Sequence, residues 1–568
     1  MLAVRCVSSC AAHPLPAPPG GAWRSALLAL WAAWWLSGCA SLPAAVASEP
    51  SFAWSRPQAT RLGQVAAASS PQPRYSGFRL LVSGEEAFAT LRTLIRSAQR
   101  TLDLQYYLIH NDGSTRTLLQ DVKAAADRGV RVRFLLDDIH TADVEAELLE
   151  LSAHPHIDVR LFNPFPGGRF SMVTRVFSSL TDIARINQRM HNKMLVADNA
   201  LAVTGGRNLG DPYFLRSPQS NFLDLDVLAA GPVVQQLSHA FDTYWNHRLA
   251  YPVESLARKE EGRGKGRAGQ GAEEDGLEAD GIPAPSSAAL GGPGVREGRA
   301  QGRDTPAPSL LAPAKEGVQA APSRLERELA RGRLQLDWAP ATLLVDQPSK
   351  IASEGDPAST ETIADDVAAL LRRSEHEAVI ISPYYVPGAR GMALVQELRA
   401  KGVRVRVLTN SLAATDAPVV HIGYARYRPE LVRLGVELHE LEPRIAAPRT
   451  RHIGSFGSSR ASLHVKAVVV DRRLVLVGSM NMDPRSERLN TEMGLVVRSA
   501  ALADDLVRLY DGVTADHSYR VELDDEGRVR WVKGAGAAAQ VHTSEPQASA
   551  WLRLMLWMLT PFAPEEML

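Results

Sequence analysis

Apolar and polar positions along the chain alternate between short strand-like runs and longer amphipathic helical segments. Residues 87–98 carry a helical apolar periodicity, and "LDLQYYL" (102–108) predicts the strand that follows. A helix over 115–128 and a strand at "RVRFLLD" (131–137) complete a strand–helix–strand unit. This order predicts an α/β fold with a largely parallel sheet covered by helices.

The same pattern starts again in the second half of the chain. "GVRVR" begins at Gly129 and again at Gly402, and both copies follow a strand ending in Tyr-Tyr, at 106–107 and at 384–385. "HNKMLVAD" (191–198) and "HVKAVVVD" (464–471) are a second repeated pair. The offset is 273 positions from Gly129 to Gly402 and also from His191 to His464. Two features with one offset indicate an internal duplication, and therefore two similar α/β halves.

Composition divides the rest of the chain. No aromatic residue occurs between Tyr251 and Trp338, and the Gly, Ala, Pro and mixed charges found there cannot bury enough apolar surface to order a fold. The final apolar stretch "SAWLRLMLWMLTPF" (549–562) is compatible with a docked terminal helix or with an element at a lipid surface. The predicted segments are a flexible tether (39–76), an N-terminal half (77–253), a disordered insert (254–325), a C-terminal half (326–518) and a C-terminal extension (519–568).

The N-terminus predicts export. "SALLALWAAWWLSG" (25–38) has the length of a signal-peptide core and is too short for a membrane span. It ends in "LSGCA", which resembles a bacterial lipoprotein signal and implies removal of residues 1–38 and lipid attachment at Cys39. We therefore expect a membrane-anchored lipoprotein of the bacterial envelope that faces the periplasm. A plain secretory signal and a short anchor are the alternatives.

Overall composition narrows the class of protein. With 45% hydrophobic and 22% charged residues, the chain is expected to form ordinary globular cores. All three cysteines lie in the first forty residues, which excludes a disulfide framework in the folded body. The formal net charge is zero, so a nucleic-acid partner is not expected.

The repeated motif carries the candidate chemistry. Side chains alternate along a strand, so His464 and Lys466 face the same way, as do His191 and Lys193. An ammonium beside an imidazole suits a phosphate, because one supplies charge and the other attacks or transfers a proton. Asp198 and Asp471 complete the catalytic candidates by sequence. Asp471 lies an odd number of positions from His464, so a structural partnership at the strand end is favoured for it.

Further polar candidates follow each motif. After six intervening residues, each aspartate is followed by "GGRN" or "GSMN", whose Asn208 and Asn481 are expected to stabilise phosphoryl oxygens. An acid behind a catalytic imidazole fixes its tautomer, and the candidates for this role are Glu492, Asp224 and Asp226. Separately, His421, Tyr424 and Arg428 share a helical spacing that suits either a lipid headgroup or a solvated face with a packed tyrosine.

The doubled string resembles the phospholipase D superfamily, over roughly residues 78–250 and 330–515. "RMHNKMLVADNALAVTGGRNLGDPYF" and "VVHIGYARYRPELVRLGVELHEL" are most similar to its bacterial cardiolipin synthase branch. The resemblance implies two α/β/α halves, each with a mostly parallel mixed sheet, that share one active site at their interface. Gly206 stands where that family more often has serine, which we expect to tune the site and not abolish it.

The resemblance also implies a mechanism. His191 would attack phosphorus to give a phosphohistidine, and His464 would act as acid and base, with the reverse assignment left open. No metal or other cofactor is implied. The expected reaction is cardiolipin synthesis from phosphatidylglycerol and a second phospholipid, for which phosphatidylethanolamine is one candidate. Phospholipid hydrolysis is the alternative, a periplasmic nuclease is less favoured, and an accessory protein partner stays open.

Overall fold

The computed structural model describes residues 49–165, 186–257, 321–352, 362–443 and 460–560. The predicted signal peptide, Cys39 and most of the predicted insert (258–320) lie outside these residues. Within them, the chain forms two α/β units that repeat the same order of strands and helices.

The elements of the N-terminal half alternate from residue 61 onward. Its helices are α1 (Arg61–Ser69), α2 (Gly84–Ser97), α3 (Gly113–Asp127), α4 (Glu145–Ser152) and α5 (Pro232–Trp245). Its strands are β1 (Ser76–Leu81), β2 (Thr101–Tyr106), β3 (Arg131–Asp137), β4 (Ile157–Phe162), β5 (Met194–Ala197), β6 (Leu201–Gly205), β7 (Ser220–Leu223), β8 (Asp226–Ala230) and β9 (Ala250–Pro252).

The elements after residue 321 follow the same plan. The helices are α6 (Arg324–Ala330), α7 (Ser349–Ala352), α8 (Ile363–Arg372), α9 (Gly388–Ala400), α10 (Pro418–Ala425), α11 (Arg428–Arg433), α12 (Pro484–Arg488), α13 (Ala500–Asp516) and α14 (Ala550–Leu559). The strands are β10 (Asp337–Ala339), β11 (Ala341–Val345), β12 (Glu377–Ile381), β13 (Arg404–Asn410), β14 (Glu437–Leu441), β15 (Arg460–Leu463), β16 (Ala467–Val470), β17 (Leu474–Gly478), β18 (Met493–Arg498), β19 (Ser518–Leu523), β20 (Val529–Lys533) and β21 (Gln540–His542).

Two large mixed sheets carry the fold. The strand orders are β10-β1-β8-β6-β5-β2-β3-β4-β9 and β11-β18-β17-β16-β12-β13-β14-β19-β20-β21. The α/β class with duplicated halves is confirmed, but the sheets are not mostly parallel. Only β2–β3–β4 and β12–β13–β14 run parallel within them. The motif strands turn back directly at Asp198 and Asp471, which adopt positive φ angles of 55° and 50°, and hairpins of this kind force antiparallel neighbours.

A third, two-stranded sheet joins the halves. Strand β7 pairs in parallel with β15, with Leu223 opposite Leu463. A shared hydrophobic core lies between the large sheets, where Phe241 of α5 and Leu506 of α13 are fully buried with strand residues of both halves. The outer helices follow amphipathic periodicity, and Leu91, Leu94 and Ile95 of α2 pack inward at i, i+3 and i+4 spacing. The cleft between the halves is therefore held by backbone pairing as well as by packing.

The predicted tether is wrong for its described part. Residues 61–69 form α1, in which Leu62 and Val65 are buried in the core of the N-terminal half. Ala- and Ser-rich composition hides this helix, because its apolar face needs only a few larger side chains. Residues 324–339, mostly assigned by sequence to the C-terminal half, provide α6 and β10 to the N-terminal half, where β10 pairs with β1. None of the helices in the described ranges is long and apolar enough to cross a membrane.

Candidate active site

The two histidine motifs meet where the halves join, and each is fixed by the opposite half. The His191 backbone N–H donates to the carbonyl of Thr491 (2.9 Å), while the Thr491 N–H donates to Arg189 (2.9 Å). In the other half, the His464 N–H donates to the carbonyl of Leu223 (2.7 Å). Both motifs therefore lie in one cleft. The backbone hydrogen bonds that hold them there occupy equivalent positions in the two halves.

Each imidazole also takes its carboxylate from the opposite half. His191 Nδ1 lies 2.9 Å from Glu492 Oε2, and His464 Nδ1 lies 2.5 Å from Asp224 Oδ2. Engagement of Nδ1 fixes the ring orientation and leaves both Nε2 atoms for a substrate. All four side chains are buried.

The choice between Asp224 and Asp226 is settled by strand register. Gly205 pairs with Asp226 as Gly478 pairs with Gly494, which makes Asp224 the counterpart of Glu492. Asp226 instead accepts the backbone N–H of Arg207 (3.1 Å) and forms an ion pair with that guanidinium (3.3 Å). The expectation that Asp226 orients a histidine is therefore wrong, because its carboxylate is committed to Arg207.

Both lysines are buried in the cleft, and each contacts the backbone of its own motif's histidine. Lys193 Nζ donates to the carbonyl of His191 (2.5 Å), and Lys466 Nζ donates to that of His464 (2.7 Å). Burial, together with the charge of Lys466 and against the opposing effect of Glu492, lowers the pKa of Lys193 to about 7. The pKa of Lys466 is also lowered, first by burial. Two buried ammonium groups form a site that a phosphate anion would stabilise.

The imidazoles share this positive environment. Burial, followed by the charges of Lys193 and Lys466, holds the pKa of His191 well below its usual value. Burial and Lys466 also lower the pKa of His464, against the opposing effect of Asp224. A histidine kept unprotonated in this way is ready to act as a nucleophile.

The two carboxylates differ in protonation. Burial raises the pKa of Glu492 to about 7. Burial alone would raise the pKa of Asp224, but the charges of His464 and Lys466 hold it below its ordinary value. The His464 side of the cleft therefore holds the more strongly ionised acid, which makes protonation of His464 less unfavourable than that of His191.

The glycine at position 206 is matched to the shorter acid on its side of the cleft. Ser479 Oγ donates to Glu492 and accepts the backbone N–H of Met493 (3.0 Å). A Cβ at Gly206 would lie 2.9 Å from Cγ of Asp224 and closer still to Oδ1. The shorter aspartate thus occupies the space that a serine side chain would take, and the pairs Gly206–Asp224 and Ser479–Glu492 are matched by size.

Asn208 lines a small cavity with Lys193, and both asparagines have unfilled hydrogen-bonding capacity. Asn208 Nδ2 donates to the Tyr213 hydroxyl (3.1 Å), while Oδ1 of Asn208 and Oδ1 of Asn481 are buried without a hydrogen-bond partner. Because amide oxygen and nitrogen are assigned from their surroundings, each amide offers either a donor or an acceptor to a ligand. Buried amides without partners are expected where a substrate completes the bonding.

The motif aspartates lie at the far ends of their strands. Asp198 Oδ1 accepts backbone N–H groups of Arg100 (2.7 Å) and Thr101 (3.0 Å). Asp471 does the same for His376 (2.8 Å) and Glu377 (2.9 Å). Both carboxylates bind the backbone at the start of the neighbouring strand. The two aspartates therefore have a structural role and are no longer candidates for catalysis.

Several aromatic residues line the cleft, and two of them, Tyr213 and Phe222, were missed from sequence. Tyr107 packs edge-on against His191 at 4.8 Å between ring centroids, and Tyr213 and Phe222 flank His464 at 5.4 and 5.2 Å. The Tyr384 hydroxyl donates to Asp416 (2.8 Å), whose charge acts on His464.

The two Tyr-Tyr pairs are not structurally equivalent. Leu102 pairs with Ala197 as Ala378 pairs with Val470, so Pro383, and not a tyrosine, corresponds to Tyr107. Aligning the strands by their apolar runs would have revealed this register.

Known proteins place these observations in a family. A family model described as "Cardiolipin synthase, PLD-like domain" matches residues 91–245 and 367–513. Cardiolipin synthase C of Escherichia coli is 37% identical over 500 residues, which span 88% of this chain and 97% of that protein. Cardiolipin synthase A of Pseudomonas syringae is 23% identical over 450 residues, which span 78% and 69%.

A solved structure supports the fold. The phosphatidylserine synthase of Haemophilus influenzae aligns with a TM-score of 0.52 at 13% identity, over 89% of this chain and 100% of that one. No cluster of three or more His, Cys, Asp or Glu side chains suited to a metal occurs in the described part of the chain. The matched segments contain both histidine motifs, and the chain therefore belongs to the phospholipase D-like cardiolipin synthase family.

Proposed function

We propose that this protein transfers phosphatidyl groups through a phosphohistidine and makes cardiolipin from phosphatidylglycerol and a second phospholipid. One observation carries the proposal. Two imidazoles, each oriented by a carboxylate of the opposite half, share a cleft with two buried lysines. Membership of the cardiolipin synthase family and similarity to an E. coli cardiolipin synthase support this choice of substrate.

In the first step, Nε2 of His191 attacks phosphorus and the bond to the first alcohol breaks. His464 gives its Nε2 proton to the leaving oxygen, so the phosphatidyl group becomes attached to His191. In the second step, His464 takes the proton of an incoming hydroxyl, whose oxygen attacks phosphorus and releases His191. The low pKa of His191 and the ionised Asp224 behind His464 support this division of roles.

Charge that develops on the phosphoryl oxygens needs fixed donors. Lys193 and Lys466 lie in the cleft with both imidazoles, and the buried amides of Asn208 and Asn481 have capacity for a ligand. Preorganised donors in a site that excludes water stabilise a transition state more than solvent does. These four residues are the proposed binding site of the phosphate.

The proposed location follows from the N-terminal sequence. A cysteine after "LSG" supports lipid attachment at Cys39, which would hold the enzyme on the periplasmic side of a membrane. Metabolic labelling with a fatty acid tests this directly: label is expected on the wild-type chain and absent from Cys39→Ser. Label retained in the variant would contradict the proposal.

The reaction is tested on phosphatidylglycerol vesicles, with and without phosphatidylethanolamine, by mass spectrometry of the lipid products. Cardiolipin is the expected product, whereas phosphatidic acid alone would show that water is the acceptor. Enzyme denatured in detergent without acid, which would cleave the P–N bond, should carry the phosphatidyl group on His191. His191→Ala and His464→Ala should abolish turnover, while the matched control His156→Ala, an exposed histidine outside the cleft, should not. Label on His464 would reverse the assigned roles.

A further inference from the structure

A helix at the end of the described chain exposes apolar side chains on its outer surface. In α14, Trp551 is 66% exposed and Trp557 is 73% exposed. Leu554, Met558 and Leu559 are exposed beside them, at 46%, 47% and 39%. Contiguous exposed apolar surface of this kind marks a site of interaction.

The inner face of the same helix is already satisfied by packing. Leu556 is buried against Leu412 and Ile422, with Leu552 and Met555 packed alongside. The helix is therefore apolar on both sides, although only one side packs against the described part of the chain. The exposed residues, together with Val419 of α10 (45% exposed), form what we call the α14 face.

The α14 face is held rigidly to the C-terminal half. Arg428 donates to Glu545 of the extension (2.6 Å) and to Glu440 of β14 (2.7 Å), and its guanidinium is buried. His421 also contacts this guanidinium (2.6 Å). The hypothesis that His421, Tyr424 and Arg428 bind a headgroup is therefore wrong, because His421 and Arg428 contact Glu545 of the extension and the Tyr424 hydroxyl donates to Glu440 (2.7 Å).

The α14 face lies close to the entrance of the cleft. It packs on α10, which begins two residues after Asp416. Asp416 accepts the hydroxyl of Tyr384 and acts electrostatically on His464 and Lys466. The helix that supports the α14 face thus starts at the rim of the catalytic cleft.

We infer that the α14 face docks on a phospholipid bilayer and holds the entrance of the cleft against the lipid surface. Tryptophans with leucine and methionine are typical of interfacial helices, and Arg553 is the only charged side chain of α14. A basic group among apolar ones suits an anionic bilayer. The substrate side of this inference rests on the proposed function, because only a lipid-processing cleft needs to meet a membrane.

The first test compares bilayer and dissolved substrates, using the full-length chain. Trp551→Ser/Trp557→Ser should lower kcat/KM on phosphatidylglycerol vesicles by about tenfold or more and leave turnover of dissolved short-chain phosphatidylglycerol unchanged. Phe52→Ser is the matched control, because Phe52 is 62% exposed on the N-terminal half. Equal activity of wild type and double variant on vesicles would overturn the inference.

The second test measures contact with the bilayer without catalysis. Brominated lipids should quench the fluorescence of the wild-type protein, and Trp551→Phe/Trp557→Phe should lose most of that quenching. No difference in quenching between wild type and the double variant would refute bilayer docking. A concentration-dependent dimer that the substitutions dissociate would also refute it, and would assign the α14 face to a second copy of the chain. If wild type turned over neither substrate, the proposed function would fail, while quenching would still decide the docking.

Discussion

The space beside Gly206 that Asp224 occupies can be tested by adding a side chain at position 206. A serine at position 206 places its Cβ within 2.9 Å of Asp224 Cγ, so the carboxylate must move away from His464. The lost interaction is a hydrogen bond to a charged group, worth about 1.5–3 kcal/mol. At about 1.4 kcal/mol per tenfold in rate, Gly206→Ser should lower kcat by about 10- to 150-fold.

The C-terminal half supplies the compensating change. Ser479 and Glu492 coexist there, because the longer acid reaches its imidazole from beside the serine hydroxyl. Gly206→Ser/Asp224→Glu copies this pair into the N-terminal half and should recover most of the lost rate. Asp224→Glu alone should not exceed the double variant, since it lacks the hydroxyl that holds the longer side chain.

The assay is cardiolipin formation on phosphatidylglycerol vesicles, with thermal unfolding measured in parallel to show that each variant folds. The matched control is Ser479→Gly, which deletes a hydroxyl at the equivalent position without creating a clash. It should cost less rate than Gly206→Ser. Wild-type turnover by Gly206→Ser, or no gain from the added Asp224→Glu, would refute the argument that the two pairs are matched by size.

Three further outcomes test other parts of the site. Asp198→Ala should lower the free energy of unfolding by about 3 kcal/mol, measured by denaturant titration, while folded enzyme keeps its turnover; the reverse result would make Asp198 catalytic. Lys193 loses its charge above its pKa of about 7, so a glycerophosphodiester inhibitor should bind more weakly as pH rises from 7 to 9, and Lys193→Met should remove that trend. Burial raises the pKa of Glu492 from 4.5 to about 7, so the folded state binds more protons in that window and stability falls as pH rises through it. Glu492→Gln should flatten this dependence, measured as denaturant midpoints at pH 5 and pH 7, and an unchanged slope would count against the raised pKa.

Local spacing in the sequence was enough to predict the duplication and the family. The common offset of His191–His464 and Gly129–Gly402 needs no tertiary information, because copies of one ancestral segment keep their internal distances. Each histidine and its lysine precede the motif strands β5 and β16, so strand alternation does not apply to them, although all four side chains are buried in the cleft. The predictions of the duplication and the family depend on residues close together in the chain, where periodicity is informative.

Features set by the docking of the halves were not predictable in this way. Nothing local shows that His191 takes Glu492 while His464 takes Asp224, since those partners lie 301 and 240 positions apart. The antiparallel sheets were missed because one strand–helix–strand unit was extended to the whole sheet. Helix α1 was missed because alanine-rich composition was given more weight than the spacing of Leu62 and Val65.

The exchange of carboxylates between halves constrains how this protein can change. A half separated from its partner would keep a buried acid without its imidazole and an imidazole without its acid. Each histidine depends on an acid that the opposite half supplies, so a change of that acid and of the residue beside it in one half alters the surroundings of the histidine in the other. The Gly206–Asp224 and Ser479–Glu492 combinations are such changes, and they make the surroundings of His464 and His191 unequal within one cleft.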